Sequence, residues 1–382
     1  MGIKLRLDGA QRSCTPEETL ERMRPFYFAA GITRVSDITG LDCSGIHVSQ
    51  CIRPDAIYLS ADSGKGATKS AARASAVMEG FERHVGETAK LPAFSASGAD
   101  LDGHETRFQL MRGAFYDPRV ERRWTSVSGL LGESAFVPVE VVQLVPRQPV
   151  FPLFHSCFVS SSNGLSSGNS LDEALAGGIY EVIERDQVDA AMSLPDPPPR
   201  VDLDTIANST LLGLVGALRQ KGIFPVIFDC TGDIGVPTFM AYLYDSERGT
   251  GIYRGYASHL DPVVAQCRAL CEAVQGRVVW MSGSRDDISH QMFVENKKND
   301  TSDNVAKILS SKNVVSSAMH GDCSTDTFSG DIEVLKQRLS DAGFGSIYYK
   351  EFQHPYPCSV VRVLAPGLAG YSHLFGKKGR CK

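Results

Sequence analysis

Ser75-Ala76-Val77-Met78-Glu79-Gly80-Phe81-Glu82-Arg83 is the stretch from which the rest of the chain can be read. Further along, Gly177-Gly178-Ile179-Tyr180-Glu181-Val182-Ile183-Glu184-Arg185 repeats its Glu-x-x-Glu-Arg ending. A third segment carries Arg268, Glu272 and Gln275 at offsets of 0, +4 and +7, the spacing of Ser75, Glu79 and Glu82. On a helix turning about 100° per residue these offsets fall near roughly 0°, 40° and −20°, a single narrow stripe. The flanking positions are apolar or small: Ala72, Ala76 and Phe81, then Leu175, Ile179, Val182 and Ile183, then Leu270 and Val274. Three largely buried helices are expected, each turning a polar row to one side. A buried carboxylate row is costly unless cations meet it. One such row alone reads as a solvated face; two copies after small-residue loops, with a third helix in register, argue for a shared site.

Outward from these helices the pattern is mixed. Ser63-Gly64-Lys65-Gly66-Ala67 reads as a glycine turn before a helix over about 68–88, either approaching a nucleotide or permitting tight helix entry. Residues 160–165 form a small-residue loop, and Ser170-Leu171-Asp172-Glu173 opens the next helix, running to about 190. Ser170 and Glu173 also satisfy a capping box, a role that needs no ligand. Thr15-Pro16-Glu17-Glu18 is another helix start, with Thr as cap and Pro at the first position. Strand character appears at 31–38, 48–52, 136–142, 223–229, 237–244 and 359–364, and further helices at 204–221 and about 262–280. Pro195 to Pro199 is a stiff break, and 283–330 reads as a polar insertion, partly helical around 305–309. The fold class is α+β.

Composition sets the outer limits. The 382 residues carry a net charge of −5, with 42% hydrophobic and 22% charged residues, which excludes a disordered chain and a strongly basic nucleic-acid binder. The ten Cys are scattered without a CxxC pair; Cys267 and Cys271 share a helix face, a weak metal signal beside the simpler reading as small buried residues. The His are dispersed and read as structural or exposed. Met1-Gly2-Ile3-Lys4 lacks an apolar signal region, Arg6 breaks the myristoylation pattern, and no run approaches the ~18 apolar residues of a membrane span. A cytoplasmic protein is expected, with neither nucleic acid nor membrane as partner.

Carboxylates on facing helices suit Mg²⁺, a hard cation that takes oxygen ligands and phosphate oxygens. A di-iron site favours Glu-x-x-His, whereas Arg83 and Arg185 follow the second Glu here. A carboxylate-bridged di-metal oxidase stays open as a reading that iron content decides. Arginine beside such carboxylates points to a polyphosphate, which guanidinium forks grip well. A P-loop is absent: Gly66 follows Lys65 where Ser or Thr belongs, and Leu59 replaces the leading Gly.

With these residues in hand, the chain resembles the YcaO family, over roughly 60–370. SxxxExxER is met by Ser75, Glu79, Glu82 and Arg83; Sx6ExxxQxxxExxER by Ser166, Glu173, Glu181, Glu184 and Arg185; RxxxExxQxR by Arg268, Glu272, Gln275 and Arg277. Gly177 stands where the family has Gln, and Arg277 at offset +9 lies across its helix from the others. The resemblance implies a YcaO-type fold of mixed sheets and helices with an internal pseudo-repeat of strand, loop and helix, and ATP lying between the halves. Residues 61–380 would form the YcaO domain, and 1–60 an N-terminal segment contributing to the nucleotide site. It further implies ATP and Mg²⁺ as cofactors, with Glu79, Glu82, Glu181 and Glu184 as metal ligands. Arg185, Arg268 and Arg12 would meet phosphate charge, while Ser75, Ser166, Asn169 and Gln275 supply neutral hydrogen bonds. Glu173 and Glu272 belong to the same ATP motifs, and Thr19 pairs with Arg12.

Family members activate a backbone amide oxygen of a peptide, generally by phosphorylation, and differ in the nucleophile that follows. The chain ends Gly379-Arg380-Cys381-Lys382 without the proline-rich tail of many azoline formers. It therefore looks more like members that work with a TfuA partner, several of which install thioamides. No fused leader-binding domain is recognisable, so a partner protein is expected to deliver the peptide or protein substrate. Azoline or amidine formation stays open, as does an accessory factor that binds ATP without catalysis. The oligomeric state is open too, a homodimer included.

Overall fold

The computed structural model describes residues 2–101, 114–144, 157–245, 251–292 and 309–370, with Phe108, Leu110 and Val294 between them. The chain starts with an antiparallel hairpin, β1 (Leu5–Leu7) and β2 (Ala10–Arg12), followed by α1 (Pro16–Met23). Thr15 caps α1 in a complete capping box with Glu18. β3 (Arg34–Asp37), β4 (His47–Ile52) and β5 (Ala61–Gly66) form an antiparallel sheet, and β5 leads into α2 (Lys69–Thr88). Next come β6 (Phe94–Ser97), β7 (Glu121–Gly129), β8 (Ser134–Pro138), the single turn α3 (Val139–Val142), β9 (Leu165–Gly168) and α4 (Leu171–Met192). β10 (Arg200–Asp202), α5 (Ser209–Gln220), β11 (Phe224–Asp229), β12 (Thr238–Tyr244), β13 (Tyr253–Ser258) and α6 (Pro262–Ser282) continue the chain. β14 (Val314–Ser316), α7 (Phe328–Asp341), β15 (Tyr348–Glu351) and β16 (Ser359–Leu364) complete it.

One sheet runs β6-β7-β15-β16-β9, with β8 also paired to β7, and another runs β13-β12-β11-β10-β14. Each helix with a polar row therefore follows an edge strand of a different sheet: α2 follows β5, α4 follows β9 and α6 follows β13. Each then packs back on that strand and its neighbour. Glycine makes the approach possible. A Cβ on Gly64 would stand 2.0 Å from the Ala76 amide nitrogen, one on Gly168 2.6 Å from that of Ala174, and one on Gly255 2.2 Å from the Ala269 carbonyl oxygen. Apolar side chains of α5 and α6 fill the core under the β11–β13 sheet, among them Leu211, Leu218, Leu270 and Val274. α4 and α7 share a second core through Ile179, Ile183, Leu335 and Leu339.

Two local expectations need correction. Ser63–Gly66 is not a turn but the end of β5, in register with β4, and its glycines yield to the α2 backbone. The strand expected at 136–142 stops at Pro138, and Val139–Val142 turns into α3. Within the stretch expected as a polar insertion, β14 lies parallel to β10; residues 305–308 fall outside the described residues. Among the described residues no helix is long and apolar enough to cross a membrane.

Candidate functional site

The edges of the three sheets converge on a cavity of about 1030 Å³. α2 contributes Ser75, Glu79 and Glu82; the β9 to α4 unit contributes Ser166, Asn169, Glu173, Glu181, Glu184 and Arg185; α6 contributes Arg268, Glu272 and Gln275. The N-terminal segment adds Arg12 and Thr19. Every site residue expected from the sequence lines this one space.

Its acidic wall is built from α2, α4 and α6, and cations of the chain already lie against it. Arg83 Nη2 donates to Glu79 Oε1 at 2.7 Å, and Arg83 Nε lies 3.0 Å from Asp62 Oδ1. Behind it, Arg53 Nε donates to Asp62 Oδ2 at 2.8 Å, and Arg53 also holds Glu87, in a network closed to solvent. Arg185 stands 3.7 Å from Glu181 and 3.6 Å from Glu184, and Lys65 Nζ lies 2.5 Å from Glu272 Oε2. Glu82 accepts a 3.0 Å bond from Ser167 Oγ.

These cations do not balance the wall. Burial, then the charges of Glu79 and Glu181, push the Glu82 carboxyl well above the carboxylate range. Burial also raises Glu181, with Glu272 adding to it, and lifts Glu184 to about 7 with help from Glu272 and Glu181. Burial works against Glu272 as well, yet Lys65 and Arg185 hold its pKa below the ordinary value.

Arg12 and Arg268 add positive charge to the same lining. Enclosure lowers the pKa of Arg12, Glu173 opposes that shift, and the like charge of Arg268 adds to it. Half-buried Arg268 lines the cavity, and its charge also favours the ionised form of Glu272. Glu173, 3.8 Å from Arg12 Nε, accepts from the backbone N–H of Ser13 at 3.3 Å and of Asn169 at 3.1 Å. Its backbone N–H donates to the Ser170 hydroxyl, so half of the expected capping box forms while the carboxylate ties the N-terminal segment to α4. Thr19 Oγ1 bonds Asn169 Oδ1 at 3.2 Å, joining α1 to the same loop.

Other positions fall as their geometry dictates. Arg277 is fully buried away from the cavity, bonded to Asp42 at 2.9 Å and to Asp245 at 3.0 Å. A Cβ at Gly177 would stand 2.5 Å from Ser166 Oγ, so the serine hydroxyl occupies space that a Gln here would need. Gln275 Nε2 donates to the Ser63 carbonyl, which ties α6 to β5. Cys267 and Cys271 also line the cavity, and burial pushes the Cys271 thiol up to about 11. Sequence reasoning missed Lys65 and Ser167, which line the cavity, and Asp62, which holds Arg83 from behind it. Lys65 was visible inside its glycine pair; Ser167 and Asp62 meet Glu82 and Arg83 through tertiary pairing that no local pattern records.

Hard oxygen donors with unbalanced negative charge fit a divalent cation such as Mg²⁺. Among the described residues no three His, Cys, Asp or Glu side chains converge at ligand spacing. Arg83, Arg185 and Lys65 hold the wall instead.

Comparison with known proteins agrees with this chemistry. The family described as YcaO cyclodehydratase, ATP- and Mg²⁺-binding, matches residues 63–369. An uncharacterised protein of Methanothermobacter thermautotrophicus is 32% identical over 370 residues, 94% of each chain. An uncharacterised protein in the tfuA 3′ region of Rhizobium leguminosarum bv. trifolii is 31% identical, over 94% of this chain and 89% of its own length. The structure of YcaO from Methanopyrus kandleri bound with AMPPCP and Mg²⁺ matches with a TM-score of 0.78 at 23% identity, over 100% of this chain and 98% of that one. A heterocyclase in complex with substrate and cofactor matches with a TM-score of 0.81 at 20% identity, over 96% of this chain and 55% of that longer one. At such identities the two structures speak for the fold, and the sequence matches speak for kinship: this chain belongs to the YcaO family, described as ATP- and Mg²⁺-binding.

Proposed function

We propose that this chain binds ATP with Mg²⁺ in the cavity and phosphorylates a backbone amide oxygen of a peptide substrate, on the way to a thioamide. The observation that carries the reading is the lining of one cavity, where carboxylates of α2, α4 and α6 stand together with Arg12, Arg185 and Arg268. A triphosphate with its metal carries the complementary charges. Bound Mg²⁺ would supply charge stabilisation at the phosphates.

Glu79, Glu82, Glu181 and Glu184 would hold the metal. Arg12, Arg185 and Arg268 would take phosphate oxygens, with Ser75, Ser166 and Asn169 giving neutral hydrogen bonds. Gln275, through the Ser63 carbonyl, and Glu272, through Lys65, keep α6 and β5 together behind the nucleotide. Thr19 and Glu173 hold Asn169 and Arg12 in place. In this reading residues 1–60 complete the nucleotide site of a domain spanning 61–380. Resonance makes an amide a poor electrophile; a phosphate on its oxygen is a leaving group that sulfide can displace.

The thioamide outcome, and a TfuA-like partner, draw support from the Rhizobium relative in the tfuA 3′ region. The family's description as cyclodehydratases and the heterocyclase of similar fold favour a second reading, azoline formation. Mass spectrometry of the peptide product, made with ATP, Mg²⁺, sulfide and partner, separates the two. Replacement of oxygen by sulfur is the expected result; loss of water alone would establish cyclodehydration, and nucleotide binding without turnover would establish an accessory factor.

A further inference from the structure

Beneath the hairpin that carries Arg12 lies an ion pair closed to solvent. Lys4 Nζ donates to Asp331 Oδ2 at 2.6 Å, and the two side chains are 1% and 0% exposed. The same ammonium donates to Gln11 Oε1 at 2.7 Å, and Arg12 Nη1 donates to the Gln11 carbonyl at 3.2 Å. Asp331, on α7, also accepts from the Tyr180 hydroxyl at 3.3 Å, and its Oδ1 accepts from Thr325 N and Oγ1 at 2.7 and 3.0 Å. A carboxylate offers about four lone-pair sites. Here they are filled by the hairpin, by the loop before α7, and by α4 at the residue preceding Glu181.

The hairpin cannot hold itself. Two three-residue strands are too few for independent stability, so Arg12 stands where outside anchors put it. The hairpin's other anchors include Arg6 with half-exposed Asp322 at 3.3 Å, the Gln11 amide to Ser324 Oγ at 3.4 Å, the Lys4 N–H to the Asp326 carbonyl at 2.9 Å and the Ser13 N–H to Glu173 at 3.3 Å. A buried ion pair is a poor source of net stability compared with apolar packing, but it fixes geometry well when every lone pair is used.

We infer that Lys4 and Asp331 are positioning residues of the nucleotide site, locking the hairpin to α4 and α7 so that the Arg12 guanidinium meets the triphosphate beside Arg268. The inference rests on the phosphate role proposed for Arg12. Lys4→Met alone strands a buried carboxylate, so the informative variant is the neutral pair Lys4→Met with Asp331→Asn.

The test is a double-mutant cycle on the full-length chain, titrated with AMPPCP and Mg²⁺ by calorimetry. Arg12→Ala is expected to weaken binding by about tenfold or more, the scale of one charge-assisted hydrogen bond. The neutral pair is expected to weaken it by about tenfold, and the pair added to Arg12→Ala to change it by less than about twofold, because both act through one guanidinium. Unchanged affinity in the neutral pair, or multiplied losses in the triple variant, would overturn the positioning role while leaving Arg12 in place. Wild-type affinity in Arg12→Ala, or no binding by the wild type, would overturn the phosphate assignment itself and the inference with it.

Discussion

Glu82 is an acid held where its own charge is unwelcome, half-buried beside Glu79 and Glu181 with a serine hydroxyl as its hydrogen-bond donor. Arg83 and the Ser167 hydroxyl favour that charge, but burial and the neighbouring carboxylates outweigh them, as expected of a carboxylate that a bound cation would complete. Glu82→Gln is expected to leave the melting temperature of the nucleotide-free protein unchanged or raised, while ATP turnover falls by about two orders of magnitude or more. Thermal unfolding and a phosphate-release assay check the two halves; a lower melting temperature with intact turnover would make Glu82 structural. Glu184 gives the pH dependence. Its carboxyl is raised from 4.5 to about 7, so the native state binds the proton more tightly than the unfolded chain. Its contribution to stability is therefore fully present below about 4.5, falls as pH rises towards 7, and levels above that. A divalent cation needs the ionised carboxylate, so the thermal shift given by Mg²⁺ with AMPPCP is expected to be larger at pH 8 than at pH 6. An equal shift at both would detach Glu184 from the metal.

At the scale of elements, the contact between each edge strand and its helix governs where the site helices lie. Gly255→Ala would press a methyl group into the α6 backbone at Ala269 and Ala273, with no flexible side chain to give way. The expected cost is about 1–3 kcal/mol in urea denaturation, with Arg268 and Glu272 displaced and nucleotide affinity reduced. Stability equal to wild type would mean that β13 and α6 can part freely. The same contacts explain what was legible in advance. The three helices could be read because capping and side-chain periodicity are local properties, as at Thr68, Ser170 and Asp261. β5 could not, since its glycines look like a turn until α2 is laid against them. Among the elements not read were the short strands β1, β2, β10, β14 and β15, the longer β7 and β13, and α7, the last because Phe328 to Asp341 begins inside a stretch whose polar composition masked the Thr327 cap.

For the whole molecule, the site is a meeting of three sheet edges and an N-terminal hairpin, assembled from residues as distant as Arg12 and Gln275. Composition excluded classes of protein, spacing singled out the polar rows of the three helices, and the family resemblance supplied Arg12, Thr19, Ser166 and Asn169, but none of these could reveal which cations of the chain would lie against which carboxylates. That pairing has a thermodynamic consequence. Arg83, Arg185 and Lys65 are counterions of the acidic wall, so a metal held by those carboxylates would displace a guanidinium or ammonium, which would then be free to meet an anion. A triphosphate is that anion. Metal and nucleotide should each improve the other's affinity by the same factor, on the order of tenfold or more, as linkage demands. Titrating AMPPCP with and without Mg²⁺, and Mg²⁺ with and without AMPPCP, measures both sides of that exchange. Independent binding would mean that the arginines stay put.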